Sequence, residues 1–206
     1  MPIVLPSDLS TELAAVNVLL RVIGEQPVQS IDPIESADAE SARDTIQEWS
    51  RSVQARGWHW NREDAFPLSP NSDGEVLLPA NCSFVSKAYW DAHGSSPCKF
   101  SERGRKLYDR EHRTYVWTSD VYVDMILQLE WDELPEYARQ AIIYKAAHDF
   151  QMRELTSSTV ARVTEEDVSL AWATLEQRED EADTANAVTG NKHVQNSLSG
   201  RLQRRT

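Results

Sequence analysis

The chain has 206 residues, 40% of them hydrophobic, and carries a formal net charge of −12 with a pI near 4.8. A chain of this length can bury about 70% of the surface that its unfolded form exposes, which is sufficient for one stable core. The excess of carboxylates argues against broad binding to nucleic-acid phosphates or to an anionic membrane surface. No apolar run approaches the ~20 residues that span a bilayer, so we expect a soluble chain that does not bind membranes.

The first predicted helix covers residues 8–23. Its apolar side chains recur at steps of three and four, as on one face of an amphipathic helix: Leu9, Leu13, Val16, Leu20 and Ile23. Three polar residues near its start are candidate N-caps: Ser7, Asp8 and Ser10. Gly24 stands where a left-handed C-cap would end the helix, and Pro27 follows as a helix breaker.

A second helix is predicted over residues 37–56, with Gly57 as its end. Its apolar positions alternate spacings of three and four: Ala39, Ala42, Ile46, Trp49 and Val53. This spacing is what ordinary core packing produces, so one seam of a small helical bundle is favoured over a partner-binding or cofactor-binding helix.

Residues 58–130 form a predicted β-rich insert, because prolines, glycines and short β-favouring runs replace the helical period. The predicted strands are residues 65–68, 75–78, 83–90 and 121–130. Residues 106–109 and 114–117 flank a polar tetrapeptide and predict a hairpin with residues 110–113 at its tip. The seven tryptophans divide accordingly: Trp49, Trp131 and Trp172 are expected in the core, whereas Trp58, Trp60, Trp90 and Trp117 could serve the core or an interface, with the core favoured.

The clearest element is a helix over residues 134–153. Pro135 suits its first position, and acidic residues before and after this proline suit the positive end of the helix dipole. One apolar stripe is expected to be buried: Leu134, Ala138, Ile142, Ala146 and Phe150. An adjacent stripe contains Tyr137, Ala141, Tyr144 and His148, so the helix must be covered on two sides; His148 is expected at the edge of the core.

The last helix is predicted over residues 165–183, starting with a capping box of Thr164 and Asp167. Its buried face is expected to hold Val168, Ala171, Trp172 and Leu175. Residues 187–206 lack acidic residues and carry four cations, so this tail has a charge of +4 against −16 for the rest of the chain. We expect a flexible C-terminal arm after a single domain of residues 1–186.

The predicted fold is therefore mainly α with a β-rich insert. A small bundle of about four helices is interrupted by a β-hairpin and sheet region, and the chain ends in an extended arm.

No motif for catalysis, a metal or a cofactor stands out. A zinc set of Cys82, His93, Cys98 and His112 lacks the paired spacings that short loops require. A nucleophile set of Cys98, His112 and Asp109 is no more specific, and no Gly-rich phosphate loop, HExxH or GxSxG occurs. No disulfide is expected, because the cysteines are unpaired in spacing and no secretory leader is visible, which favours a reduced, cytosolic setting. We expect a protein that is not an enzyme and holds no cofactor.

Four segments, in this order, carry a family resemblance: AVNVLLRVIGEQPV, RGWHWN, GRKLYDREHRTYVW and LPEYARQAIIYKAAHDF. The chain resembles tail tubular protein A, the portal-to-nozzle tail adaptor of T7-like short-tailed bacteriophages. The likeness extends over most of residues 13–150, without a match for residues 91–100 or for the tail. Nine positions belong to the shared motifs, with structural roles expected: Gly24, Pro27, Gly57, Trp58, Leu107, Tyr108, Asp109, Leu134 and Pro135.

The resemblance implies a virion protein that forms a dodecameric ring between the portal and the tail nozzle, which is tail tubular protein B. Tail fibres are a further candidate partner, and DNA would pass through the lumen without specific binding. The family also sends a C-terminal segment toward the portal, so five residues of the arm become candidate portal contacts: Leu198, Arg201, Leu202, Arg204 and Arg205. The alternative is a virion-associated enzyme that acts on cell-envelope glycan during entry, because paired carboxylates are not recognisable from sequence.

Overall fold

The computed structural model describes residues 11–34, 36–154 and 163–190. The helices in these ranges are α1 (Glu12–Ile23), α2 (Ala37–Gln54), α3 (Glu136–Glu154) and α4 (Glu165–Gly190). The strands are β1 (Arg62–Leu68), β2 (Cys82–Tyr89), β3 (Phe100–Arg103), β4 (Lys106–Asp109) and β5 (Val121–Leu127). A short 3-10 helix at Trp131–Glu133 precedes α3. The predicted combination of helices with a β-rich insert is confirmed as a mixed α/β fold.

The chain divides into two compact units. One comprises Met1–Arg43 with Pro135–Thr206, and its described elements are helices; the other comprises Asp44–Leu134 and contains every named strand. The predicted single domain of residues 1–186 stays a prediction. None of the described helices combines the length and hydrophobicity that crossing a bilayer requires.

In the helical unit, α1 begins later than the sequence predicted. Thr11 has an extended backbone, and its side-chain hydroxyl accepts a hydrogen bond from the Ala14 N–H at 3.2 Å, so Thr11 is the N-cap. The predicted caps Ser7, Asp8 and Ser10 lie outside the described residues, and the cap of α1 is a residue that the sequence analysis did not name. The end is confirmed: Gly24 has a φ of 91°, and its N–H donates to the carbonyls of the last turn.

The central helix, α3, contacts both α1 and α4. All five residues of the predicted stripe, at positions 134, 138, 142, 146 and 150, are at most 2% exposed, which confirms the buried face. The second stripe is mixed, since Ala141 is buried while Tyr137, Tyr144 and His148 are half-buried. Pro135 precedes the helix instead of opening it, and its carbonyl accepts the Arg139 N–H at 3.0 Å, so it is a cap residue.

The start of α4 matches its prediction. The Thr164 hydroxyl accepts the Asp167 N–H at 3.2 Å, and the Asp167 carboxylate accepts the Thr164 N–H at 2.9 Å, which is a capping box. Of the predicted buried face, Leu175 is fully buried whereas Val168, Ala171 and Trp172 are half-buried. The helix continues to Gly190, beyond the predicted end at residue 183, and so includes the first four residues of the predicted arm.

In the β unit, β5 is the centre of an antiparallel sheet with the order β1-β5-β2. Strand β5 alternates as predicted, because Val121, Val123 and Met125 are buried while the residues between them are half-buried. The core of this unit gathers residues from all around it: Leu68, Val76, Leu78, Val85, Ala88, Cys98, Leu107, Trp117, Val121, Val123 and Met125.

The predicted hairpin of residues 106–109 with residues 114–117 is wrong, because residues 106–109 pair with a different strand. Strand β4 pairs with β3 across a two-residue turn at Gly104 and Arg105, whose φ angles of 59° and 63° are those that a tight hairpin turn requires. Residues 109 and 114 form only one bridge, and residues 75–78 make single bridges instead of a full strand. Strand β3 was missed because its sequence, FSER, carries little apolar alternation.

Tryptophan burial also differs from the prediction. The three tryptophans expected in the core are only half-buried: Trp49, Trp131 and Trp172. Trp58 and Trp117, from the insert, are 4% and 3% exposed. Each buried indole N–H donates to a backbone carbonyl, that of Val53 at 2.7 Å and that of Leu107 at 3.0 Å, so both rings are buried without an unsatisfied donor.

Candidate functional site

One side of the β unit exposes apolar and aromatic residues next to each other. We define the hairpin face as the outward side of β4 and of the two segments bridged to it: Leu77, Lys106, Tyr108, Tyr115 and Val116. Leu77 is 49% exposed and Val116 is 54% exposed, although both are aliphatic. Exposed aliphatic side chains grouped in this way are typical of protein interaction sites.

The register of the bridges sets which side chains point outward. Leu77 lies opposite Lys106 and Glu75 opposite Val116, so these residues share one side of the sheet. Their neighbours Val76 and Leu107 point the other way and are fully buried. An ion pair of 2.6 Å between Lys106 Nζ and a Glu75 carboxylate oxygen holds the two segments together.

The aromatic part of the hairpin face is ordered by ring contacts. Tyr108 and Tyr115 meet edge to face with ring centroids 4.9 Å apart. The Arg103 guanidinium lies 3.8 Å from the Tyr108 ring centroid, in a cation–π contact. Tyrosine and arginine are residue types enriched at the centres of protein interfaces.

A carboxylate organises the turn beside the hairpin face. Asp109 is 2% exposed; one of its oxygens accepts the N–H groups of Glu111 and His112 at 2.7 and 3.0 Å, and the other lies 2.6 Å from His112 Nδ1. Burial by itself raises the pKa of Asp109, but these hydrogen bonds outweigh it and hold the pKa below its ordinary value. The same hydrogen bond and the charge of Asp109 raise the pKa of the His112 imidazole.

The hairpin and its turn reverse the charge of the chain locally. Residues 99–113 contain six cations and three carboxylates, a net charge of +3, whereas the rest of the chain carries −15. Most of the cations are exposed to solvent: Lys99, Arg103, Arg105, Arg110 and Arg113. The candidate site is therefore a basic, partly apolar surface on an acidic protein.

The structure distributes the motif positions expected to be structural over both units. Gly24 caps α1 and Pro27 is exposed in the loop after it. Leu134 is 2% exposed and precedes the cap residue Pro135. These four positions lie at one helix exit and one helix entry.

The other five motif positions lie in the β unit. Gly57 has a φ of 75°, and a Cβ there would be 2.6 Å from the Ile126 side chain, so both the backbone and the space favour glycine. Trp58 and Leu107 are buried core residues, and Tyr108 and Asp109 are the only two of the nine that shape the hairpin face and its turn. The five candidate portal contacts, at positions 198, 201, 202, 204 and 205, lie outside the described residues.

The sequence analysis did not identify a set of side-chain amides that hydrogen-bond to the backbone of distant segments. Asn17 donates to the Val28 carbonyl at 3.0 Å and accepts the Val28 N–H at 2.8 Å. Gln54 makes the same two hydrogen bonds with Leu129: its amide N–H donates to the Leu129 carbonyl at 3.1 Å, and its amide oxygen accepts the Leu129 N–H at 2.7 Å. Each amide satisfies both polar groups of a loop backbone and ties that loop to a helix.

Gln151 follows the same rule, and Asn61 instead connects three different residues. Gln151 accepts the Val163 N–H at 3.2 Å and donates to the Val163 carbonyl. Asn61, 2% exposed, donates to the carbonyls of Gln54 and Leu127 and accepts the Trp58 N–H. The one usable sequence signal was an amide at a position where the helical period demands an apolar residue, as at Gln54 and Gln151.

The arrangement offers no activated nucleophile at the set considered from the sequence. Asp109 and His112 are in contact, but burial raises the pKa of the Cys98 thiol to about 11, with the charge of Asp109 adding to the effect. A thiol with a raised pKa is almost entirely protonated near neutral pH and is a poor nucleophile. Within the described ranges, no group of three or more His, Cys, Asp or Glu residues is placed to hold a metal ion.

Comparison with known proteins agrees with the motifs. The profile of the family described as "Tail tubular protein" matches residues 13–185. Tail tubular protein A of Klebsiella phage KP34 is 29% identical over 127 residues, which is 62% of this chain and 64% of that protein, less than two thirds of its length. The family resemblance predicted from the four motifs is confirmed. Because the profile spans most of the chain, including both structural units, the chain belongs to the tail tubular protein family and is a structural component of a bacteriophage tail.

Proposed function

We propose that the chain is the tail adaptor of a short-tailed phage, forming a dodecameric ring that joins the portal to the tail nozzle and encloses part of the DNA ejection channel. The observation that carries the proposal is the family match over residues 13–185. Tail tubular protein B is the proposed nozzle partner, tail fibres are a further one, and assembly takes place in the cytoplasm of the host bacterium.

The charge of the chain suits a channel wall. A net charge of −12 repels DNA phosphates, so DNA would pass with few ion pairs to break. Exposed carboxylates of α2 could contribute to such a wall: Asp38, Glu40, Asp44 and Glu48.

The proposed portal anchor is the C-terminal arm. Its charge of +4 contrasts with the acidic remainder of the chain, and arginines pair strongly with carboxylates of a partner. Leu198 and Leu202 are four residues apart, so they would share one apolar side if the arm became helical on the portal. Arg201, Arg204 and Arg205 would then supply the ion pairs.

Deleting residues 191–206 tests the arm. We expect the melting temperature to stay nearly unchanged and cosedimentation with purified portal to be lost or strongly weakened at moderate salt. The matched control replaces Arg201, Arg204 and Arg205 by glutamine, which keeps the length of the arm and lowers its charge from +4 to +1. Unaltered binding by the truncated chain would place the portal contact in the helical or β unit instead.

An enzymatic role is not proposed, and the glycan-cleaving alternative has a direct test. The purified chain should produce no cleared zone in a peptidoglycan or capsule zymogram. A cleared zone that survives repurification and disappears on replacement of a single carboxylate would show that the adaptor is also a hydrolase.

A further inference from the structure

The outward side of α4 is acidic. Over residues 165–182 the helix carries seven carboxylates and one cation, a net charge of −6. Five of these carboxylates are exposed: Glu165, Glu166, Glu176, Asp180 and Glu181. Leu170 lies among them and is 69% exposed, the most exposed large hydrophobic residue described. We define these six residues as the α4 face.

The α4 face and the hairpin face are complementary in two properties. The hairpin face has exposed aliphatic and tyrosine side chains with exposed cations beside them, and the α4 face has an exposed leucine with carboxylates around it. An apolar centre surrounded by opposite charges is the usual arrangement of a specific protein interface. Either face alone would leave its apolar residues in water.

A closed ring of identical chains requires this kind of pairing. Around a rotational axis with more than two subunits, each contact joins two different patches, so one chain must carry both halves. We propose that the hairpin face of one copy docks on the α4 face of the neighbouring copy in the ring. The inference rests on the ring in the proposed function and adds the surfaces that close it.

The contacts available at such an interface follow from the exposed residues. Leu170 would cover the aliphatic pair Leu77 and Val116, removing apolar surface from water on both chains. Arg103 and Arg110 would pair with carboxylates such as Glu166 and Asp180, in the bidentate geometry that arginine favours. Self-association should therefore weaken as the salt concentration rises.

Charge reversal with rescue tests the pairing on the full chain. The first variant is Arg103→Glu with Arg110→Glu, and the second is Glu166→Arg with Asp180→Arg. Mass photometry would measure ring assembly of each variant alone, of their equimolar mixture and of the chain carrying all four changes, with and without purified portal. The matched control is Arg51→Glu with Arg62→Glu, which changes the charge equally at exposed positions outside both faces.

We expect each reversed variant to assemble about tenfold more weakly or worse, the four-change chain to regain assembly, and the control to behave as wild type. Leu170→Ser, at a highly exposed position that leaves the fold intact, should weaken assembly without lowering the melting temperature. Wild-type assembly by the Arg103→Glu, Arg110→Glu variant would overturn the pairing and leave the adaptor function standing. A wild-type chain that forms no ring, even with portal, would overturn the ring and the inference together.

Discussion

At the scale of single residues, Asp109 shows how one buried carboxylate can set a local structure. Its carboxylate accepts hydrogen bonds from two backbone N–H groups and contacts Nδ1 of the His112 ring, so the turn after β4 depends on its charge. The hydrogen bonds explain why an acidic group tolerates near-complete burial.

The first prediction concerns the titration of this pair. Because Asp109 raises the pKa of His112, Asp109→Asn should lower that pKa toward the ordinary histidine value. Stability from His112 is present below its unfolded pKa and is lost as pH rises through the raised folded pKa; stability from Asp109 is lost as pH falls through its lowered folded pKa. The pair therefore stabilises the turn at pH values between the folded-state pKa of Asp109 and that of His112.

NMR titration of the His112 ring measures this shift. Asp64→Asn, at an exposed position on β1, removes the same charge from the same unit and is the control. An unchanged His112 titration in Asp109→Asn would show that the contact does not hold the proton.

The second residue-scale prediction concerns the core of α3. Ile142 is 0% exposed, so Ile142→Ala should cost about 2–5 kcal/mol of unfolding free energy, through lost burial and the cavity left behind. Met152, on the same helix, is 55% exposed, and Met152→Ala should cost under about 0.5 kcal/mol. Denaturant unfolding of both variants checks the difference; similar costs at the two sites would mean that the assigned buried side is wrong.

At the scale of elements, side-chain amides connect helices to loops where no strand partner is available. Gln54, at the end of α2, is 0% exposed and bonds both backbone groups of Leu129, just after β5. A buried backbone donor and acceptor left without partners cost far more than an exposed hydrogen bond contributes.

Replacing this amide should therefore be costly. Gln54→Ala should lower the unfolding free energy by about 1–3 kcal/mol, because the Leu129 N–H and carbonyl lose their partners. Gln177→Ala, on the exposed side of α4, removes only an exposed contact to Glu181 and should change it by under about 0.5 kcal/mol. Hydrogen exchange should also show faster exchange of the Leu129 amide; protection equal to wild type would mean that the amide is satisfied in another way.

The hairpin shows why element pairing was harder to predict than element type. Residues 106–109 were correctly expected to be extended. Two neighbouring segments, residues 100–103 and residues 114–117, could each have paired with them. Residues 106–109 pair with residues 100–103, because Gly104 and Arg105 between them adopt the positive φ angles that a two-residue hairpin turn requires. Local turn chemistry therefore outweighed the stronger β-propensity of TYVW.

At the scale of the whole molecule, charge is the property that relates most directly to the proposed role. The chain carries −12 overall, and its local positive region at residues 99–113 reaches only +3. Long-range repulsion of DNA should dominate over this patch at low ionic strength.

The chain should therefore bind duplex DNA no better than an acidic control protein of similar size. Fluorescence anisotropy with a salt titration measures this, and the expected result is no saturable binding at physiological salt. The chain without residues 191–206 separates any contribution of the basic arm. Submicromolar binding at physiological salt would contradict a channel wall of low adhesion.

The sequence by itself determined the elements whose signals are local. Thr164 with Asp167 marked the start of α4, Gly24 marked the end of α1, and the apolar stripe of α3 was correct at all five positions. Such signals act within a few residues, so neighbours in sequence are sufficient to define them. The four ordered motifs likewise sufficed to indicate the family.

The tertiary structure alone decided which distant groups meet. The tryptophans expected in the core are half-buried, whereas Trp58 and Trp117 lie in the core, where the backbone carbonyls of Val53 and Leu107 accept their N–H groups. Gln54 is buried against a partner that no local pattern indicates, since Leu129 is 75 residues away. The hairpin face is also a product of register, because the bridges that join Leu77 to Lys106 and Glu75 to Val116 depend on pairing that no local pattern specifies.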